Sequence, residues 1–311
     1  MADERDLRGT ERSDSGPPGS GYRGALGLDD PGLLQDQITE VTMRAIEAEG
    51  LQDLQPVDRG GYGVVLRAKD RLTGNRRAVK VVLAPEGADG AGERLAERMQ
   101  IFRRECRILD AKELPAGIAP RFYGAREPQG SQAFLIQEWI DGQKLSDWLN
   151  ANATLPMLKR EQVCRAIFAT YARLHASNLM HRDVSLGNIM ITANTVRLID
   201  FGGAGRAAAG YVSLNTMSRV PATQAFCSGP VWRGERKASL ADEVHAVAKV
   251  CFTVLTGELA ASYSTTAERR GVMKRAGCGR DLMGLLLPRM EDPPLQLAMQ
   301  SMVQEIGHGG I

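Results

Sequence analysis

The residues best suited to chemistry stand in one stretch, His181-Arg182-Asp183 with Asn188 behind it and Asp200-Phe201-Gly202 further on. Residues 189–191 and 196–199 read as two short strands joined by Thr192-Ala193-Asn194-Thr195. As an antiparallel hairpin they set Asn188, before the first strand, beside Asp200, after the second. Two hard oxygen donors meeting at one end suit Mg²⁺ held jointly with phosphate oxygens. Asp183, five residues before Asn188, reaches the same pocket. Any one such aspartate is ordinarily a turn or loop residue. Three polar groups converging with Lys80 and Glu105 are harder to explain that way.

Lys80 lies in Ala78-Val79-Lys80-Val81-Val82, where period-2 alternation puts Ala78, Lys80 and Val82 on one strand face and Val79, Val81 and Leu83 on the other. Both faces are apolar, so the lysine projects from a half-buried surface; an edge-strand lysine is the plainer alternative. Glu105 falls inside the apolar arc of a helix that carries Leu95, Met99, Phe102, Cys106 and Leu109, widened by Ile101 and Ile108. A carboxylate there needs a cation, because an unpaired buried charge costs several kcal/mol. Lys80 is one partner and Arg98, on the same helix, the competing one. Asp58-Arg59-Gly60-Gly61-Tyr62-Gly63 lies between two strand-like runs. Its glycines let backbone N–H groups approach a phosphate with no Cβ in the way, or simply build a tight hairpin turn.

These groups require strands, a helix and loops to hold them. Residues 1–29, rich in Gly, Ser, Pro, Asp and Arg, read as a disordered tail. Asp30-Pro31 opens a helix over 30–50 with Leu34, Ile38, Val41 and Ala45 at helical spacing, packed on the next domain. Strands joined by tight turns come next over 54–82, then a helix over 92–111 and strands near 120–123 and 133–139. Beyond Gly142 the pattern is mostly helical, with Val163, Ile167, Tyr171, Leu174 and His175 on one long helix. Strands first and helices after predict an α+β fold: a small β-rich lobe over 51–139 and a larger helical lobe over 140–311.

Bulk properties exclude several classes. The 311 residues are 43% hydrophobic and 24% charged, and Lys plus Arg (39) nearly balance Asp plus Glu (37), leaving a formal charge of +2. That balance argues against nucleic acid or an anionic membrane as the main partner. Cys106, Cys164, Cys227, Cys251 and Cys278 are odd in number and lack CxxC spacing, which fits reduced thiols in a cytoplasmic compartment. No apolar run is long enough to span a bilayer, so no membrane insertion is expected.

In this order and spacing the residues resemble the eukaryotic-like protein kinase superfamily over 54–257. The resemblance implies a bilobal fold, ATP and Mg²⁺ as cofactors, and a role for each matching residue. Lys80 would contact the α- and β-phosphates and be held by Glu105. Gly60, Gly61 and Gly63 would cover the phosphates, with Asp58 where the loop's first glycine is usual. Val65, Ala78 and Met190 would line the nucleotide pocket, with Gln137 as gatekeeper and the backbone of Glu138 and Ile140 binding adenine. Asn188 and Asp200 would hold Mg²⁺, and Asp183 would orient the acceptor hydroxyl and take its proton.

Several positions depart from the family pattern. Ser185 and Gly187 stand where serine/threonine or tyrosine kinases place a cation; Arg206 or Arg219 could supply one. Arg233-Gly234-Glu235 replaces Ala-Pro-Glu, Asp242 or Glu243 would anchor the long central helix, and Gln296 replaces the arginine expected near Asp292-Pro293. The resemblance favours transfer of the ATP γ-phosphate to Ser or Thr of a protein substrate. Ser213, Thr216, Ser218 and Thr223 lie on a segment that Arg182 could order once phosphorylated. A small-molecule phosphotransferase of the same fold is the first alternative, suggested by Gly187-Asn188 without the lysine. A nucleotide-binding pseudokinase is the second, and the intact set Lys80, Glu105, Asp183, Asn188 and Asp200 argues against it.

Overall fold

Alternating apolar and polar side chains from Leu51 onward build an antiparallel sheet in the computed structural model, which describes residues 37–60, 62–85, 90–207, 221–235 and 237–291. The strands are β1 (Leu51–Gly60), β2 (Gly63–Asp70), β3 (Arg76–Val82), β4 (Phe122–Arg126) and β5 (Phe134–Glu138), in the order β1-β2-β3-β5-β4. The β2–β3 turn closes on Asp70, whose Oδ1 accepts the N–H groups of Leu72 and Thr73, while Gly74 takes φ 72°. Asp58 lies opposite Val65, and Val65 opposite Lys80. Directly opposed residues share a sheet face, so these three side chains form one transverse row.

The two faces bury different partners, as the alternation around Lys80 predicts. Val64, Leu66, Val79, Val81, Phe134 and Ile136 pack with Ile38 and Ile46 around helix α1 (Glu40–Ala48). Val82 and Leu135 pack with Phe102 of helix α2 (Ala91–Asp110).

Helix α1 corrects the expected 30–50 helix. It begins at Glu40 behind an N-cap at Thr39, whose Oγ1 accepts the Thr42 N–H. Thr42, fully buried, bonds to Ser131 and Gln132 in the β4–β5 connection, and this fixes the helical phase. Thr42 and Ile46 therefore face inward, and Val41, expected on the buried face, is exposed. Ile46→Ala is expected to cost about 2–5 kcal/mol, the range for truncating a fully buried Ile. Chemical denaturation would measure this; a loss below about 1 kcal/mol would mean that α1 does not belong to the sheet's core.

The remainder is mainly helical: α3 (Leu145–Ala151), α4 (Met157–Ala176), α5 (Pro221–Phe226), α6 (Gly229–Trp232), α7 (Leu240–Thr256), α8 (Thr266–Arg275) and α9 (Arg280–Arg289). Helix α7 is the axis, buried from Asp242 to Leu255, started by a Ser239–Asp242 capping box and ended by Gly257 at φ 77°. Short strands lie between the two regions: β6 (Gly142–Lys144), β7 (Leu179–Met180), β8 (Ile189–Thr192), β9 (Val196–Leu198) and β10 (Gly205–Arg206). Strands β8 and β9 form the antiparallel hairpin the sequence predicts, with β6 on the other side of β8. No helix among the described residues is long and apolar enough to cross a membrane. The tail 1–29, the Asp30-Pro31 helix start, Gly61, Ser213, Thr216, Ser218, Arg219, Asp292-Pro293 and Gln296 lie outside the described residues, and Thr223 falls within α5.

Candidate functional site

Lys80 is the meeting point of both regions. Its Nζ donates to Glu105 Oε2 at 2.7 Å and to Asp200 Oδ1 at 2.8 Å. Glu105 is the partner found for Lys80; the competing Arg98 donates instead to the Leu83 carbonyl. The Glu105 side chain is 2% exposed. Burial pushes its carboxyl above the ordinary range, the Lys80 ammonium opposes that rise, and the Asp200 charge adds to it. Burial disfavours the Lys80 charge, but Asp200 and Glu105 outweigh it and hold the ammonium well above its ordinary value. Burial also works against the Asp200 carboxylate, yet the adjacent Lys80 keeps that carboxyl low. Asp200 sits at φ 64°, a left-handed conformation costly for a non-glycine residue and found preferentially at functional sites. Gly202 follows because a Cβ there would come within 2.5 Å of Ile101 Cγ2 on α2.

The hairpin positions the loop before it. Asn188 Nδ2 donates to Asp183 Oδ2 at 2.8 Å and to the Asp183 carbonyl at 2.9 Å, and the Ile199 N–H donates to the Asn188 carbonyl. Asp183, Asn188 and Asp200 thus lie together at one end of β8 and β9. The loop is held from beneath by Glu243 on α7. Glu243 accepts the His181 N–H at 2.9 Å, the Arg182 N–H at 2.7 Å and shares a 2.9 Å contact with His175 Nε2. Of the two acids left open as helix anchor, Glu243 takes that role. Asp242 instead closes the capping box and accepts the Ser228 hydroxyl at 2.5 Å.

Around the mouth of the cleft, Val65 and Ala78 extend the Lys80 face, and Gln137 lies opposite Ala78 on β5. Gln137 is buried, and its Oε1 has no hydrogen-bond partner among the described residues. The carboxylate of Glu138 is gripped by Arg197 through contacts of 2.6 and 2.7 Å, and that hydrogen bonding lowers its carboxyl below the ordinary range. Ile140 is buried, and Met190 is half-buried on β8 opposite Lys144 and Arg197. Gly60 and Gly63 face each other across β1 and β2, and a Cβ on Gly63 would collide with the Val81 carbonyl. Asp58, in the row of Lys80, pairs with Lys144 at 2.5 Å.

The sequence reading missed Lys144, Arg197 and His175 as partners. Opposite charge was the one signal available, and nothing in the linear order joined Lys144 to Asp58 or Arg197 to Glu138. A second correction concerns the absent catalytic-loop cation. Arg206 pairs its guanidinium with Glu113 at 2.5 Å, while its carbonyl accepts from Arg182 Nη2. Glu235 pairs with its neighbour Arg233 in an exposed contact. The segment before it is fixed instead by Ser228 on Asp242, by Lys249 Nζ donating to the Cys227 carbonyl at 3.0 Å, and by buried Phe226 and Val231.

Comparison with known proteins agrees with this geometry. The family model described as protein kinase domain matches residues 51–284. A protein of Corynebacterium efficiens named "Serine/threonine-protein kinases drp72" is 31% identical over 65% of this chain and 38% of its own length. Serine/threonine-protein kinase PknB of Mycobacterium leprae is 29% identical over 64% of this chain and 31% of its own. Probable serine/threonine-protein kinase PknB of Lactococcus lactis is 26% identical over 69% and 32%. The chain therefore spans about a third of the length of these curated relatives. With the matched segment covering the sheet, helix α2 and the loops beside β8 and β9 that carry Lys80, Glu105, Asp183, Asn188 and Asp200, the chain belongs to the protein kinase family.

Proposed function

We propose that the chain is an ATP- and Mg²⁺-dependent serine/threonine protein kinase, built from an N-lobe over 51–139 and a C-lobe over 140–311. The observation that carries this reading is the Lys80 ammonium bridging Glu105 of α2 and Asp200 after β9, with Asp183 and Asn188 beside them. The residues fit both cofactors. The buried Gln137 Oε1 on the Lys80 face, without a partner among the described residues, offers an acceptor for a ligand N–H. Asn188 and Asp200 offer the few hard oxygens that suit Mg²⁺ shared with phosphates. When bound, Mg²⁺ supplies positive charge against the negative charge gathering on the transferring phosphoryl group.

The chain's own residues do the positioning. Lys80 presents its ammonium to the α- and β-phosphates, fixed in direction by Glu105. Asp183 orients the acceptor hydroxyl and takes its proton, while Asn188 Nδ2 on Oδ2 keeps that carboxylate from rotating. Glu243 holds the backbone on which Asp183 is mounted. The free cysteines favour a reducing, cytoplasmic place of action.

The test is phosphate transfer from γ-labelled ATP with Mg²⁺ onto a generic protein acceptor, onto the chain itself and, in parallel, onto a panel of sugars and alcohols. Label on Ser or Thr is expected, falling by about 10²–10⁴-fold in Asp183→Asn, the range for losing a general base. Label only on sugars or alcohols would assign a small-molecule phosphotransferase instead. Bound Mg²⁺-ATP with no turnover would assign a pseudokinase.

A further inference from the structure

Asp58 is an unusual residue for the roof of a nucleotide site. Register places it in the same transverse row as Val65 and Lys80, and Lys80 reaches down to Asp200, so this row faces the cleft. Gly60 comes two residues later, where the chain turns toward Gly63. An acidic side chain at this position lies on the face over which a triphosphate must pass, and like charges in a half-dry cleft repel strongly. Lys144 is the last residue of β6 and lies opposite Met190 of β8, whose other neighbour is Arg197. Lys144 and Met190 therefore share a face of the small sheet that forms the floor, just past the strand exit at Glu138. The Lys144 Nζ meets Asp58 Oδ2 at 2.5 Å, with side chains 28% and 36% exposed. The pair thus joins the roof row to the floor row at the outer edge of the cleft.

We propose that Lys144 is a nucleotide-positioning residue that acts through Asp58, neutralising a carboxylate that would otherwise repel the triphosphate. The inference rests on the nucleotide-binding function proposed for this cleft. An exposed ion pair by itself contributes little to stability, so the consequence of losing Lys144 lies in the charge it unmasks. That consequence depends on the ligand's own charge. A triphosphate is repelled by an uncovered Asp58, whereas a neutral nucleoside is not. The same argument makes Asp58→Asn the change that rescues Lys144→Met, because it removes the repelling charge together with the need for Lys144.

The experiment compares the wild-type chain with Lys144→Met, Asp58→Asn and the double variant by calorimetric titration with Mg²⁺-ATP and with adenosine, after thermal melting of each. Lys144→Met is expected to weaken Mg²⁺-ATP about tenfold at low salt and leave adenosine within about twofold, and raised KCl should shrink the difference. The double variant is expected to return to within about twofold of wild type. Unchanged ATP affinity in Lys144→Met overturns the proposal. So does equal loss of ATP and adenosine, which would make Lys144 a structural support, and so does failure of Asp58→Asn to rescue. A wild-type chain that binds neither ligand overturns the nucleotide reading itself, and the proposal with it.

Discussion

Lys80→Met is expected to lower phosphate transfer by about 10²–10³-fold, the effect of removing one preorganised donor from a reacting centre. The structural consequence is as telling as the kinetic one. In the wild type the Lys80 ammonium satisfies two carboxylates, and one of them, Glu105, is almost wholly buried. Breaking a buried pair by removing one partner costs about 3–5 kcal/mol, and the solvent-facing side of Lys80 places this case toward the lower end. Burial and the Asp200 charge already push the Glu105 carboxyl upward, and Lys80 is the opposing influence. Without it the carboxyl moves further up. The folded value then exceeds the unfolded one, so that stability is full in acid and is lost as pH rises through the folded value. Lys80→Met should therefore lose more melting temperature, relative to wild type, as pH rises above the ordinary carboxylate range. Adding Glu105→Gln should remove that pH dependence without restoring transfer. Parallel pH profiles for the variant and the wild type would show that Glu105 stays ionised without Lys80, and would remove the basis for this prediction.

The contrast between Lys80 and Lys144 shows what a linear sequence discloses. Glu105 announced its need for a cation because it broke the apolar arc of its own helix, and the strand alternation around Lys80 told which face that lysine occupied. Both signals are local, with periods of about 3.6 and 2. The Asn188–Asp200 meeting was equally local, since a short turn between two strands fixes which ends come together. Lys144 and Arg197 gave no such signal. Each lies on a short strand with ordinary neighbours, and each finds its acid on a distant strand of the other sheet. The face of α1 was misread for the same reason. Val41 and Ala45 fit a helical stripe, but the Thr39 cap and the bonds from Thr42 to Ser131 and Gln132 turned Thr42 and Ile46 inward instead. Asp242 and Glu243 could not be told apart by spacing, because adjacent residues on a helix differ only by its phase. The capping box decides it: Asp242, at the third helical position, folds back on Ser239, and Glu243 is left to face the loop.

Glu243 supplies the largest structural effect expected of a single change. It is 3% exposed, and three donors or donor-capable groups converge on its carboxylate: the N–H groups of His181 and Arg182 and the His175 ring. Arg182 itself takes φ 63°, so the backbone leading into Asp183 is held in a conformation the residue would not choose. Glu243→Ala leaves these groups buried without an acceptor and is expected to cost about 3–5 kcal/mol. Glu243→Gln keeps one acceptor oxygen and should cost less, which preserves a folded enzyme for kinetics. Its kcat is expected to fall about 10²-fold, as for a displacement near 1 Å at a reacting group. KM for ATP should change little, because Lys80, Asn188 and Asp200 make none of their contacts through Glu243. The pH dependence carries a matching sign. Burial opposes ionisation of Glu243, but the His175 hydrogen bond and charge, with the His181 N–H, bring its carboxyl below the ordinary value of 4.5. A depressed carboxyl contributes stability that is present above the unfolded value and lost as pH falls through the folded one. Acid unfolding of Glu243→Gln should therefore be shallower than that of the wild type below pH 4.5. A Gln variant with wild-type kcat and an unchanged acid limb would mean that the catalytic loop holds its shape without α7.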